Sequence, residues 1–199
     1  MTQSFRRLFA VSVACVSVAV WAKEVTLTVN SNAGIAAQLT AEGKSLADGD
    51  TLVKDGPAEL TMDDTNGKRL AGGTVKAGKL LVQPANGLGK ASSVWTVEDG
   101  ATIRIGGTSS YAGSLSFHLA GTGDQDAGAL AVYNTYYESA VSCNFYLDAD
   151  ATMCVHSGGD GTGLLTYGLL FCPERAGLAG WTGVGSCHRR PVASLSACL

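Results

Sequence analysis

Charge, proline and, over most of the length, cysteine are scarce in this sequence. Only 16% of residues are charged, against roughly a quarter in typical globular chains. The net charge of −3 supplies no basic field, so nucleic acid is not an expected partner. Proline occurs 4 times and glycine 26 times among 199 residues. Without a collagen period, that ratio suits many tight turns between strands. An apolar content of 46% argues against a disordered chain. After Cys15 no cysteine occurs until Cys143, followed by Cys154, Cys172, Cys187 and Cys198. A small disulfide-stapled framework would spread its cysteines through the fold, and an odd number cannot all pair internally. There is no C-x-x-C pair, and Cys187-His188 are adjacent rather than spaced for joint ligation, so no metal site is expected. One or two disulfides near the C-terminus are the remaining use for these thiols.

The N-terminus carries a targeting pattern. Arg6-Arg7 precedes an apolar run from Leu8 to Trp21, and Val20-Trp21-Ala22 places small residues at the positions a signal peptidase reads. The run is shorter than the ~20 residues that cross a bilayer. Residues 1–22 are therefore expected to be a signal peptide cleaved near Ala22. The mature chain, which lacks any later spanning stretch, is expected to use the secretion machinery and to be secreted, or to reside in the periplasm or at the outer cell surface.

From Asp50 to Ile105 the sequence is a succession of short alternating strands closed by glycine-bearing turns: Leu52 to Lys54 before Asp55-Gly56, Ala58 to Met62, Thr74 to Lys76, Lys79 to Gln83, Val94 to Val97 before Asp99-Gly100, and Ala101 to Ile105. Val25 to Val29 reads as a further strand. Ile35 to Thr40 is small-residue rich, so helix and strand compete, and strand is favoured. A phrase in which an apolar residue sits five positions before a threonine recurs at Leu46–Thr51, Val97–Thr102 and Leu147–Thr152. That recurrence, near 50 residues, exceeds the 20–29 of one solenoid rung and fits two or three rungs taken together. Short strands at this spacing also suit a β-sandwich.

The segment Leu52-Val53-Lys54-Asp55-Gly56-Pro57-Ala58-Glu59-Leu60-Thr61-Met62, followed by Gly72-Gly73-Thr74-Val75-Lys76-Ala77-Gly78-Lys79-Leu80, resembles the autotransporter-associated β-strand repeat. That pattern runs L-x-K-x-G-x-G-x-L-T-L, then G-G-T-x-V-x-x-G-x-L, then V-x-x-G-A-T-L, the last matched by Val97 to Ile103. Asn86-Gly87-Leu88-Gly89 sits at the family's A-L-G turn, and Ala58 replaces its second glycine. The likeness covers about a quarter of the chain. It implies an all-β fold, a right-handed parallel β-helix (a solenoid) incomplete at its C-terminal end, with a β-sandwich as the alternative. The implied layout is a repeat domain over 23–167 and an irregular tail or cap over 168–199. The implied role is a passenger-type, adhesin-like structural module without catalysis, presenting a surface to glycans or proteins. A β-helical polysaccharide lyase or glycoside hydrolase is the alternative.

No catalytic, cofactor-binding or metal-ligating constellation stands out. Tyr133, Tyr136 and Tyr137, with Phe145 and Tyr146 nearby, form a candidate ligand surface, against which stands plain core packing. Asp124, Asp126 and Asp160 read as solvated turn carboxylates rather than Ca²⁺ ligands, since no full ligand series follows. Glu138, Asp148 and Asp150 are the carboxylates a glycosidase or lyase would draw on. His118 and His156 read as ordinary outward strand residues.

Overall fold

The computed structural model describes residues 22–84, 87–106, 111–134, 140–157, 164–171 and 184–186. Its strands are β1 (Glu24–Thr28), β2 (Ala33–Gly34), β3 (Thr51–Asp55), β4 (Glu59–Met62), β5 (Gly72–Val75), β6 (Gly78–Val82), β7 (Val94–Val97), β8 (Ala101–Gly106), β9 (Tyr111–Gly121), β10 (Leu130–Asn134), β11 (Ala140–Ala151), β12 (Met153–Ser157), β13 (Leu164–Phe171) and β14 (Val184–Ser186). Two short helices, α1 (Ile35–Ala41) and α2 (Asp64–Gly67), and a 3₁₀ turn at Asp124–Asp126 lie between them. Residues 1–21, where the signal peptide is expected, and most of the 168–199 stretch lie outside the described residues. β13 continues past residue 167 to Phe171, and β14, within the tail, pairs antiparallel with it.

From β1 to β13, consecutive strands alternate between two sheets. The larger runs β1-β3-β5-β7-β9-β11-β13-β14 and the smaller β12-β10-β8-β6-β4-β2. Every described pairing except β13 with β14 is parallel, unlike the antiparallel pairing of a sandwich. Each strand thus pairs with the strand one circuit later. Val53 pairs with Thr74 and Thr74 with Thr96, Glu59 with Lys79 and Ser116 at one circuit with Asn144 at the next. The sequence step is therefore 20 to 28 residues across these pairs. The 50-residue recurrence is two circuits for two of its three members. Ile103 N–H donates to Ala129 O, and Ala129 N–H to Thr152 O, so Thr102 and Thr152 occupy matching places. Thr51 opens a strand of the other sheet and is not equivalent.

Alternation sends one face of each strand into a shared core. In the larger sheet the inward columns are Val25, Leu52, Gly73, Trp95, Phe117 and Phe145, and Leu27, Lys54, Val75, Val97, Leu119 and Leu147. In the smaller sheet Leu60, Leu80, Ile103, Leu130 and Met153 stack in the same way. All of the apolar members named here are buried in one cluster. Size alternates where it must. A Cβ at Gly73 would lie 2.2 Å from Leu52 O and 2.8 Å from the Trp95 ring, so the missing side chain is the space that Trp95 fills. Trp95 Nε1 in turn donates to Leu88 O at 2.9 Å. Phe117 and Phe145 continue the column with ring centroids 5.6 Å apart. Phe145 is thus core and not part of an exposed aromatic surface.

Residues Ile35 to Ala41 form a helix, contrary to the strand expected there. Its Ala-rich sequence favours helix, and Ile35 and Leu39, four apart on one face, are both buried. The helix packs against β2 and β4, and side chains at and just beyond its C-terminal end reach the edge of β1. Residues 24, 26 and 28 point their backbone groups away from β3, because Lys23 O and Val29 N–H bond the β3 side. Those free groups are met by side chains. Gln38 Nε2 donates to Thr28 O at 2.9 Å, Thr28 N–H donates to Glu42 Oε1 at 3.0 Å, and Lys44 Nζ donates to Thr26 O at 2.5 Å. Burial pushes the Glu42 carboxyl up, but the bonds from Lys44, Gln38 and Thr28 outweigh it and hold the group below its ordinary value.

Candidate functional site on the outer face of the larger sheet

The best-organised polar group among the described outward residues lies where β7, β9 and β11 meet. Phe117 and Leu119 point inward, so His118 between them points out. Phe145 and Leu147 do the same for Tyr146, and Asp148 follows two residues later on the same face. Register places Thr96, His118 and Tyr146 side by side across the three strands. The His118 and Tyr146 rings stack with centroids 4.6 Å apart and an interplanar angle of 6°. His118 Nδ1 lies 3.1 Å from both Asp148 carboxylate oxygens. Ser116 and Asn144 flank the group half-buried, and Val94, on the same outer face, is 47% exposed.

This arrangement has definite chemical consequences. With its proton on Nδ1, His118 donates to Asp148 and keeps a lone pair on Nε2. When doubly protonated it forms an ion pair with the same carboxylate. Asp148 fixes the plane of the imidazole, and the Tyr146 ring holds it upright against the sheet. The result is a small platform of two rings, one carboxylate and neighbouring hydroxyl and amide groups. It offers hydrogen-bond donors and acceptors over an area that no local sequence segment could supply.

Of the expected ligand-surface residues, only Tyr133 is described. Tyr133 is in β10 of the smaller sheet, with its backbone opposite Gly106 and His156. Tyr136 and Tyr137, and likewise Glu138 and Asp160, lie outside the described residues. Asp148 joins His118, whereas Asp150 is exposed at the end of β11. Asp124 pairs with Lys79 at 3.1 Å, and its N–H donates to Thr102 Oγ1. Asp126 accepts from Thr122 Oγ1 at 2.9 Å. Both turn carboxylates are thus taken up by protein partners, and among the described residues no group of three or more His, Cys, Asp or Glu is placed to hold a metal ion. Along the smaller sheet Arg104 pairs with Glu59 and Lys79 with Asp124, each ion pair reaching across two circuits. Cys143 and Cys154 are buried. Burial pushes Cys143 up to about 12 and raises Cys154 as well. Cys172, Cys187 and Cys198 lie outside the described residues.

The signal for the missed pair was in the sequence. Ser116-Phe117-His118-Leu119 and Asn144-Phe145-Tyr146-Leu147 are similar phrases one circuit apart, and superposing them puts Tyr146 opposite His118 and Asp148 at the next outward position of the same strand. Compared with protein-family models, curated proteins and solved structures, the chain has no match in any of the three. No helix among the described residues is long and apolar enough to cross a membrane.

Proposed function

We propose that this chain is an exported, non-catalytic β-helical repeat module of the passenger type, a right-handed parallel β-helix whose outer face meets carbohydrate or protein partners. The carrying observation is the alternation of successive strands between two parallel sheets with outward residues in register, which aligns Thr96, His118 and Tyr146 and brings Asp148 to them. Export rests on the Arg6-Arg7 and Leu8–Trp21 pattern with cleavage near Ala22. The passenger-type reading rests on the repeat phrases at Leu52–Met62 and Gly72–Leu80. Glycans or proteins at the cell exterior are the partners this face suits, because planar rings beside a carboxylate and an amide match alternating apolar and hydroxyl surface. The test is binding of the purified chain to glycan and extracellular-protein arrays. Wild type should retain at least one ligand that the His118→Ala/Tyr146→Ala variant loses. Arrays blank for both proteins would refute the display role.

The His118–Asp148 pair supports one rival, a polysaccharide lyase or glycoside hydrolase using Asp148 with the imidazole as proton-transfer groups. Incubation with a polysaccharide panel distinguishes the two. The display reading predicts no new reducing or unsaturated ends, and their appearance with wild type but not Asp148→Asn would establish the enzyme.

A further inference from the structure

We infer that α1 with Lys44 is a gate over the β1 edge, and that with the gate displaced two copies of this chain join through β1 paired antiparallel to itself about a two-fold axis at Leu27. Three observations meet here. First, among the described residues β1 is the terminal strand of the larger sheet and pairs only with β3. Its outward-pointing backbone groups at Thr26 and Thr28 are those a further strand would bond, and an unprotected edge of this kind recruits another chain. Second, the three groups met by Gln38, Glu42 and Lys44 are Thr28 O, Thr28 N–H and Thr26 O. In an antiparallel pair centred on Leu27, Thr26 of one copy stands opposite Thr28 of the other as a hydrogen-bonded pair exchanging both N–H···O bonds. The gate side chains therefore occupy the same atoms that the second copy would use.

Third, the sequence of this strand reads the same in both directions. Val25-Thr26-Leu27-Thr28-Val29 reversed is again Val-Thr-Leu-Thr-Val. Antiparallel self-pairing then places Val25 opposite Val29, Thr26 opposite Thr28 and Leu27 opposite its own copy. Val25, Leu27 and Val29 are all buried inward residues, so both copies keep their apolar residues on one face and their threonines on the other. A one-residue slip would destroy that match. The interface is isologous and closes as a dimer, with no free edge left at this end to grow a fibre.

The experiment compares the full chain with the release variant Gln38→Gly/Glu42→Ala/Lys44→Ala, in which the glycine also weakens α1. Mass is measured by light scattering over a hundredfold range of concentration, and strand content by circular dichroism. Wild type is expected to remain at monomer mass. The release variant should keep its strand signal and double in mass as concentration rises. Adding Thr26→Pro, which removes an edge N–H needed by the pair but not by β3, should return it to monomer. A folded release variant that stays monomeric overturns the proposal, as does a dimer indifferent to Thr26→Pro. If the release variant does not fold, Lys44→Met decides. A Thr26-dependent dimer at the upper concentrations supports the gate, and a monomer throughout overturns it.

Discussion

Lys54 is the residue whose position departs furthest from its sequence appearance. It stands in an alternating strand, where a lysine reads as outward, yet it is fully buried in the column between Leu27 and Val75. Its ammonium donates to Gly56 O and Ala77 O at the corners of two successive circuits, and a Cβ at Gly78 would fall 2.6 Å from it. The glycine at φ +64 is thus needed both for its backbone and for the lysine head. Gly78→Ala is expected to cost about 1–3 kcal/mol, read as a lowered denaturation midpoint. Burial lowers the Lys54 pKa from 10.5 to about 8, with the Asp124, Asp55 and Glu59 carboxylates opposing that fall. Between those two values the unfolded chain binds the extra proton, so stability rises with pH from about 8 upward, by up to about 3 kcal/mol if this group acted alone. Cys143 acts in the opposite sense. It stays neutral in the fold up to about 12, while the unfolded thiol ionises from its ordinary value of 9.0, so its contribution is lost as pH climbs above 9. Urea titrations should therefore show stability rising between pH 8 and 9 and levelling or falling beyond. Lys54→Met should abolish the rise, and Cys143→Ala should remove the fall. A wild-type profile flat from pH 8 to 9 would contradict the buried charge.

Most strands were legible as elements because alternation and glycine turns are local signals, and β3, β4, β6, β7 and β8 fall close to where alternation places them. Two failures have physical causes. Ile35 to Ala41 offered both an alternation and an i, i+4 pair, and burial of Ile35 and Leu39 against the first strands settled it as helix. The strand expected from Thr74 to Lys76 begins two residues earlier, with Gly72-Gly73 inside β5, because Trp95 of the next circuit needs the space that Gly73 leaves. Gly73→Val should therefore destabilise by at least about 1–3 kcal/mol, with loss of the near-ultraviolet signal of Trp95. An unchanged signal and midpoint would contradict this packing. The outward site was illegible residue by residue. His118 and Asp148 are separated by 30 positions, and only the circuit length makes them neighbours. Since both side chains are substantially exposed, His118→Ala should shift stability by no more than about 0.5 kcal/mol, so any loss of ligand binding in that variant reports on the surface itself.

At the scale of the molecule, stacking makes each circuit depend on the next. No single circuit buries its apolar residues alone, and the columns from Val25 to Phe145 and from Leu60 to Met153 are continuous only if every strand keeps parallel register. The grouping of His118, Tyr146 and Asp148, the packing around Gly73 and the placement of the β1 edge all depend on that register. Spin labels at Thr26 and Tyr146 test it most directly, since register puts them in one outward row five strand spacings apart. At about 4.8 Å per spacing the backbones stand roughly 24 Å apart. Dipolar spectroscopy on the doubly labelled chain should give one narrow distribution near that value, widened only by the label arms. A broad distribution, or a maximum near twice that distance, would contradict the parallel stack.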